Sequence, residues 1–176
     1  MQPTFLPAPL HRAALRLAHR LRNRWRRWRR VPLAGVSLVL SDGAGRVLLV
    51  RHSYGPDLWA LPGGGIAAGE DPLQAARREA LEELGCEIAD LRELDVVDDE
   101  ISGSPHRAHI FAGRLTGAPV PDRREVVEGR FFAPDALPEQ LGRLVRPRLA
   151  LWLGSEQAQL AVRSRLDGRG GPVERG

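Results

Sequence analysis

An α/β fold, a mixed sheet sandwiched by helices, is what the sequence predicts, and three observations predict it. Two apolar runs, "LAGVSLVL" and "RVLLVRH", flank the turn sequence "SDGAG". A capped amphipathic helix follows over about residues 72–84, and further strand-like runs lie beyond it. Strands on both sides of a central helix call for layers, because a helix stripe and a sheet face must each bury against a partner.

The elements follow in chain order. Residues 1–30 hold nine arginines and no acid. Within them Leu10, Ala14, Leu17, Leu21, Trp25 and Trp28 step at helical period, with Arg12, Arg16, Arg20, Arg26, Arg27 and Arg30 largely opposite, so an N-terminal amphipathic basic helix is expected. The two apolar runs form a hairpin, and a loop "SYGPD" and a short apolar "LWAL" lead to "PGGGIAAGE". Asp71 caps the central helix, with Pro72 at its first position and Gln74 three residues after the cap. Leu73, Ala76, Ala80 and Leu84 make its apolar stripe, and Gly85 suits the left-handed stop. The stretches "CEIADLRELDVVDDE", "RAHIFAGRLTG" and "VEGRFFA" read as strands, and "DALPEQLGRLVRPRLALWLG" as a helical segment broken at Pro147. The expected organisation is an arm over 1–30, a folded unit over 31–153, and a polar, partly disordered tail over 154–176 with at most one short helix.

The central helix works against its own electrostatics. Glu79 has Glu82 at i+3 and Glu83 at i+4, like charges that cost roughly 0.2–0.5 kcal/mol per pair. All three lie near a helix C-terminus, whose dipole disfavours acids by about 0.3–1 kcal/mol each. A solvated acidic turn balanced by Arg77 and Arg78 is one reading; the other is a hard-oxygen site for Mg²⁺ or Mn²⁺.

Spacing decides between them. Gly64, Glu70, Arg78, Glu79, Glu82, Glu83 and Gly85, with apolar slots at Ala80 and Cys86, fill the Nudix box in register, so the chain resembles a Nudix hydrolase. The resemblance implies a Nudix-type α/β/α sandwich over 31–153. It implies that Glu82, Glu83 and the Gly64 carbonyl ligate Mg²⁺ or Mn²⁺ and that Glu79 ligates or acts as base, with Glu79, Glu83 and Arg78 as the catalytic set and Glu70 as partner of Arg78. The implied reaction is divalent-metal-dependent hydrolysis of a phosphoanhydride in a nucleoside diphosphate linked to another moiety. Two alternatives stand beside it: a catalytically silent Nudix-like module that binds nucleotide or RNA, and a pyrophosphatase for oxidised nucleotide triphosphates. Arg51, at a strand end, resembles the position from which family members often contact substrate phosphate, while Glu125 and Glu128 lie where some members supply a further ligand or base. Tyr54 and Trp59 are candidates for the rim of a base or sugar pocket. His106 and His109, three apart in a strand, face opposite sides and cannot chelate one ion.

Charge and composition bound the rest. The arm carries +9, whereas the remainder sets 17 arginines against 22 acids, so the overall +4 belongs to the appendage. The single cysteine rules out an internal disulfide framework and fits a reducing, cytoplasmic setting. No apolar run is long enough to span a bilayer. The substrate expected is a small nucleotide-type molecule. The arm is left with several readings: docking on the folded unit or on a second subunit in a homodimer, peripheral contact with an anionic membrane, nucleic-acid contact, or a cleaved transit peptide.

Overall fold

β1 (Leu33–Ser41) is apolar along nearly its whole length because both of its faces are covered. Val36, Leu38 and Leu40 point to one side and Val39 to the other, and each parity joins a different core. The computed structural model describes residues 33–101 and 104–167, so the arm over 1–30 lies outside the described residues.

β1 turns into β2 (Val47–His52) where Asp42 Oδ1 accepts from the amides of Ala44 and Arg46, both at 2.9 Å. β2 also pairs antiparallel with β3 (Trp59–Ala60) and with β6 (Val126–Phe132). On the other side β1 runs parallel to β5 (Ser104–Leu115), with Leu33 opposite His106. β5 forms an antiparallel ladder with β4 (Ile88–Ile101). The result is one six-stranded mixed sheet in the order β3-β2-β1-β5-β4, with β6 on β2.

Two helices cover its faces. α1 (Pro72–Leu84) packs Ala75, Ala76, Ala80 and Leu84 against Leu38, Leu40, Leu48 and Val50. α2 (Val145–Asp167) packs Val145, Leu149 and Trp152 against Val39, Leu49, Ile110 and Ala112. The predicted sandwich is therefore the observed one. α1 has the predicted bounds, with Asp71 Oδ1 accepting from Leu73 N at 3.0 Å and Gln74 N at 3.1 Å, and Gly85 at φ 63° closing it.

Three details differ from the sequence reading. Leu73 is exposed and Ala75 takes its place in the buried stripe. Pro147 does not interrupt a helix: it sits in the first turn of α2, where its missing N–H would have no intrahelical acceptor anyway. α2 also continues to Asp167, and Arg92 on β4 holds its middle by bonding Ser155 Oγ and pairing with Glu156.

Candidate active site

The buried stripe of α1 explains where its glutamates go. Helical rotation carries Glu83 onto the face of Ala76 and Ala80, so Glu83 enters the interior and is only 5% exposed. Glu79 stands at the flank of that face and Glu82 points outward, with side chains 12% and 60% exposed. Burying a carboxylate requires a donor, and the Gly63 amide supplies one to Glu83 Oε2 at 3.1 Å.

Arg78 ties the strand-to-helix loop to these acids. Its Nε and Nη2 grip both oxygens of Glu70 at 2.8 and 3.0 Å, and Nη2 also donates to the Gly65 carbonyl at 3.0 Å. Its Nη1 donates to Glu79 Oε1 at 2.8 Å and to Glu82 Oε2 at 3.1 Å. This planar fork uses donors in several directions at once, which an ammonium cannot reproduce. Glu70 accepts as well from the Ala67 amide at 2.8 Å, and the Arg78 bonds with this one hold its carboxyl down at about 2.

Gly64 lies directly under Glu79: a Cβ built on it would stand 2.4–2.6 Å from the Glu79 carboxylate, so only glycine leaves room. Its carbonyl accepts from the Val36 amide at 2.9 Å and keeps a second lone pair. Gly64, Glu79, Glu82 and Glu83 line one cavity of about 510 Å³, together with Asp122 and Glu125 from the loop before β6. That loop is fixed by Asp122, whose carboxylate accepts from the amides of Arg124, Glu125 and Val126. The Asp122 amide in turn donates to the Glu83 carbonyl at 3.1 Å.

Two of these acids are raised. Burial first, and then the charges of Glu79, Glu125 and Asp122, push the Glu83 carboxyl up to about 8, against the opposing bond from Gly63. Burial likewise pushes Glu79 upward, with the charges of Glu82 and Glu125 adding to it and Arg78 opposing. Such a cavity carries negative charge in excess of its internal cations, the donor set a hard divalent cation fits. Among the described residues, no three His, Cys, Asp or Glu side chains converge into a preformed cage.

The other expected residues divide. Glu125 reaches the cavity, and so does Tyr54. Arg51 and Glu128 are cross-strand neighbours that pair at 3.6 Å outside the cavity lining, and Arg51 also pairs with Asp57. Trp59 is a core residue, edge-on to Phe132 at 5.0 Å with Arg51 and Arg130 over its ring at 5.5 and 5.8 Å. His106 and His109 are separate, bonded through Nδ1 to Asp99 at 2.8 Å and to Glu93 at 2.6 Å. Of these two histidines, His106 lines the cavity, as does Arg148 from α2. Sequence reasoning missed Asp122, Asp99 and Arg148. A hairpin placed at "SG" between the runs ending in Ile101 and starting at Ser104 would have put Asp99 opposite His106, which is the observed register.

A family model described as the NUDIX domain matches residues 31–153. A solved structure of a MutT NUDIX hydrolase from Burkholderia pseudomallei is similar, with TM-score 0.63 and 28% identity, covering 69% of this chain and 98% of that one. The RNA pyrophosphohydrolase of Teredinibacter turnerae is 44% identical over 61 residues, 35% of this chain and 36% of that protein. A CMP-5'-(N-acetyl-N-hydroxy-3-aminopropyl)phosphonate hydrolase from Streptomyces rubellomurinus is 35% identical over 133 residues, 70% of this chain and 63% of that protein. The chain thus spans less than two thirds of the length of these curated relatives.

Proposed function

Because the chain belongs to the Nudix family, we propose that it hydrolyses a phosphoanhydride bond in a nucleoside diphosphate linked to another moiety, with a divalent cation, Mg²⁺ or Mn²⁺. The observation that carries this reading is the acidic cavity, where burial and neighbouring carboxylates push Glu79 and Glu83 upward beside Gly64. Glu79, Glu82, Glu83 and the Gly64 carbonyl would hold the cation. When bound, it neutralises the diphosphate and lowers the pKa of a water.

The chain's own residues do the rest. Arg78 keeps Glu79 and Glu82 in place and ties them to the Gly65 carbonyl, so the carboxylates do not splay apart. Glu83, buried beside Glu79 in the cavity, would take a proton only as the carboxylate, so the reaction needs it unprotonated. The activity of the phosphonate relative, hydrolysis of a CMP conjugate, supports a nucleotide joined to a second group.

The test is a panel of nucleotide sugars, dinucleotides, deoxynucleoside triphosphates and 5'-triphosphorylated RNA, assayed with Mg²⁺ and with chelator. Cation-dependent release of a nucleoside monophosphate from a diphosphate conjugate is expected. Nucleotide binding without turnover of any member would replace this reading with that of a binding module.

The charge of residues 1–30 supports contact of that arm with an anionic lipid surface. Sedimentation with phosphatidylserine vesicles should lose binding when 1–30 are removed; equal binding by both chains would dismiss it.

A further inference from the structure

Beside the glutamates, the cavity lining carries a different chemistry. Asp99 on β4 and His106 on β5 are direct cross-strand partners, and Arg148 reaches them from α2. His106 Nδ1 lies 2.8 Å from Asp99 Oδ1, and Arg148 Nη2 donates to Asp99 Oδ2 at 2.7 Å. All three side chains are nearly enclosed, with 11%, 13% and 12% exposure for His106, Asp99 and Arg148. The two carboxylate oxygens are thus each committed, one to the ring and one to the guanidinium.

This fixes the ring. An ionised carboxylate only accepts, so the Nδ1–H faces Asp99 and Nε2 is the ring nitrogen left to meet a ligand, an acceptor when the ring carries one proton. Among the described residues Nε2 makes no hydrogen bond, and His106 lines the cavity. A Cβ built on Gly35 would stand 2.8 Å from His106 Nε2 and 2.8 Å from the Gly64 carbonyl oxygen. Nε2 and that carbonyl therefore flank the same point of β1, and the absence of a side chain at Gly35 is what lets the ring reach the acidic end. An acceptor oriented through its far nitrogen by two successive ionic partners, and left without a donor, is a recognition group.

We propose that His106, held by Asp99 and Arg148, is a specificity-determining residue that accepts through Nε2 a hydrogen bond from an O–H or N–H of the bound nucleotide conjugate. This rests on the reading of the cavity as a nucleotide site, and it adds the polarity of one contact near the Gly64 carbonyl. The donor is a ribose hydroxyl, a base N–H or a hydroxyl of the linked moiety, which share one chemistry. Asp99 and Arg148 are positioning residues, acting through the ring.

The experiment measures binding, so it does not depend on turnover. The probe is an α,β-methylene nucleoside diphosphate sugar with Mg²⁺, in four versions: the parent, one without ribose hydroxyls, one with a methyl group in place of the sugar, and one whose base lacks N–H donors. Calorimetry compares wild type with His106→Asn, whose amide can keep the bond to Asp99 while deleting the Nε2 acceptor. His106→Gln, which puts an amide oxygen near Nε2, serves as the rescue, and melting temperatures verify that both variants fold.

His106→Asn should bind the parent about tenfold or more weakly. The same loss is expected on two of the altered probes and none on the probe that lacks the contacted donor, with His106→Gln closer to wild type. Equal loss on all four probes would make His106 merely structural, and no loss on any would remove it from the site; either overturns the proposal. Wild-type binding with this pattern, but no hydrolysis of the natural anhydride, would sink the hydrolase reading and leave the His106 contact standing. Failure of wild type to bind every probe would overturn both.

Discussion

Glu83 occupies a position that an apolar residue would fill more cheaply, and its neighbours make its charge costly. Its carboxyl lies at about 8 in the folded chain against an ordinary 4.5, so between these values the folded state holds a proton that the unfolded state has released. Its contribution to stability is complete below pH 4.5 and is lost as pH rises through 8. In chelator, denaturant midpoints should fall over this window, and Glu83→Gln should flatten the fall; an unchanged slope in that variant would place the titration elsewhere. The same variant should lose about 10²–10⁴-fold in turnover, because the isostere keeps shape but cannot take a proton. Glu70 has the opposite sign: held at about 2, it supports the fold above pH 4.5 and its support disappears as pH falls toward 2. Arg78→Lys keeps the charge but not the fork to Glu70, Glu79, Glu82 and Gly65, so kcat/KM should drop by about tenfold or more. Full activity in Arg78→Lys would show that the fork is dispensable. The box residues were legible because their spacing is local to one loop and one helix. Asp99 and Arg148 were not, since 49 residues separate them and only the fold joins them.

α1 is the element that turns sequence spacing into a site. Its cap and stop were readable, and its stripe apart from Leu73, because each depends on neighbours a few residues away. Asp71→Ala removes the bonds to the amides of Leu73 and Gln74 and should cost about 0.5–2 kcal/mol in denaturant unfolding. Activity per folded molecule should stay near wild type, since Asp71 does not line the cavity. A large loss of kcat with intact stability would mean that the cap also sets the carboxylates. β4 was legible as a strand but not in its shape: its pairing with β5 shifts between Ala89 and Arg92 and again between Glu93 and Asp95. Such bulges depend on the partner strand, which local pattern does not specify. The start of α2 was misread because Pro147 signals a break only in a helix interior, and where the helix begins is decided by packing of Val145 and Leu149 on the sheet.

At the scale of the whole molecule, the sandwich brings α1, the loop before β6 and the start of β5 around one cavity. Cation binding must remove the proton that Glu83 holds, so apparent Mg²⁺ affinity should rise as pH approaches 8, with protons released. Calorimetry in buffers of different ionisation enthalpy reads that release, and pH-independent affinity without proton release would exclude Glu83 from the cation site. Reaction class was readable from 23 residues, whereas the wall that meets the rest of the substrate is assembled from β5 and α2 and was not. The most direct measurement is hydrolysis of a nucleoside diphosphate conjugate by wild type and by Glu79→Gln/Glu83→Gln, with Mg²⁺ and with chelator, on protein of equal melting temperature. Turnover by wild type that vanishes with chelator and in the double variant is the predicted result; turnover that survives both would contradict the assignment of this acidic cavity as the reaction centre.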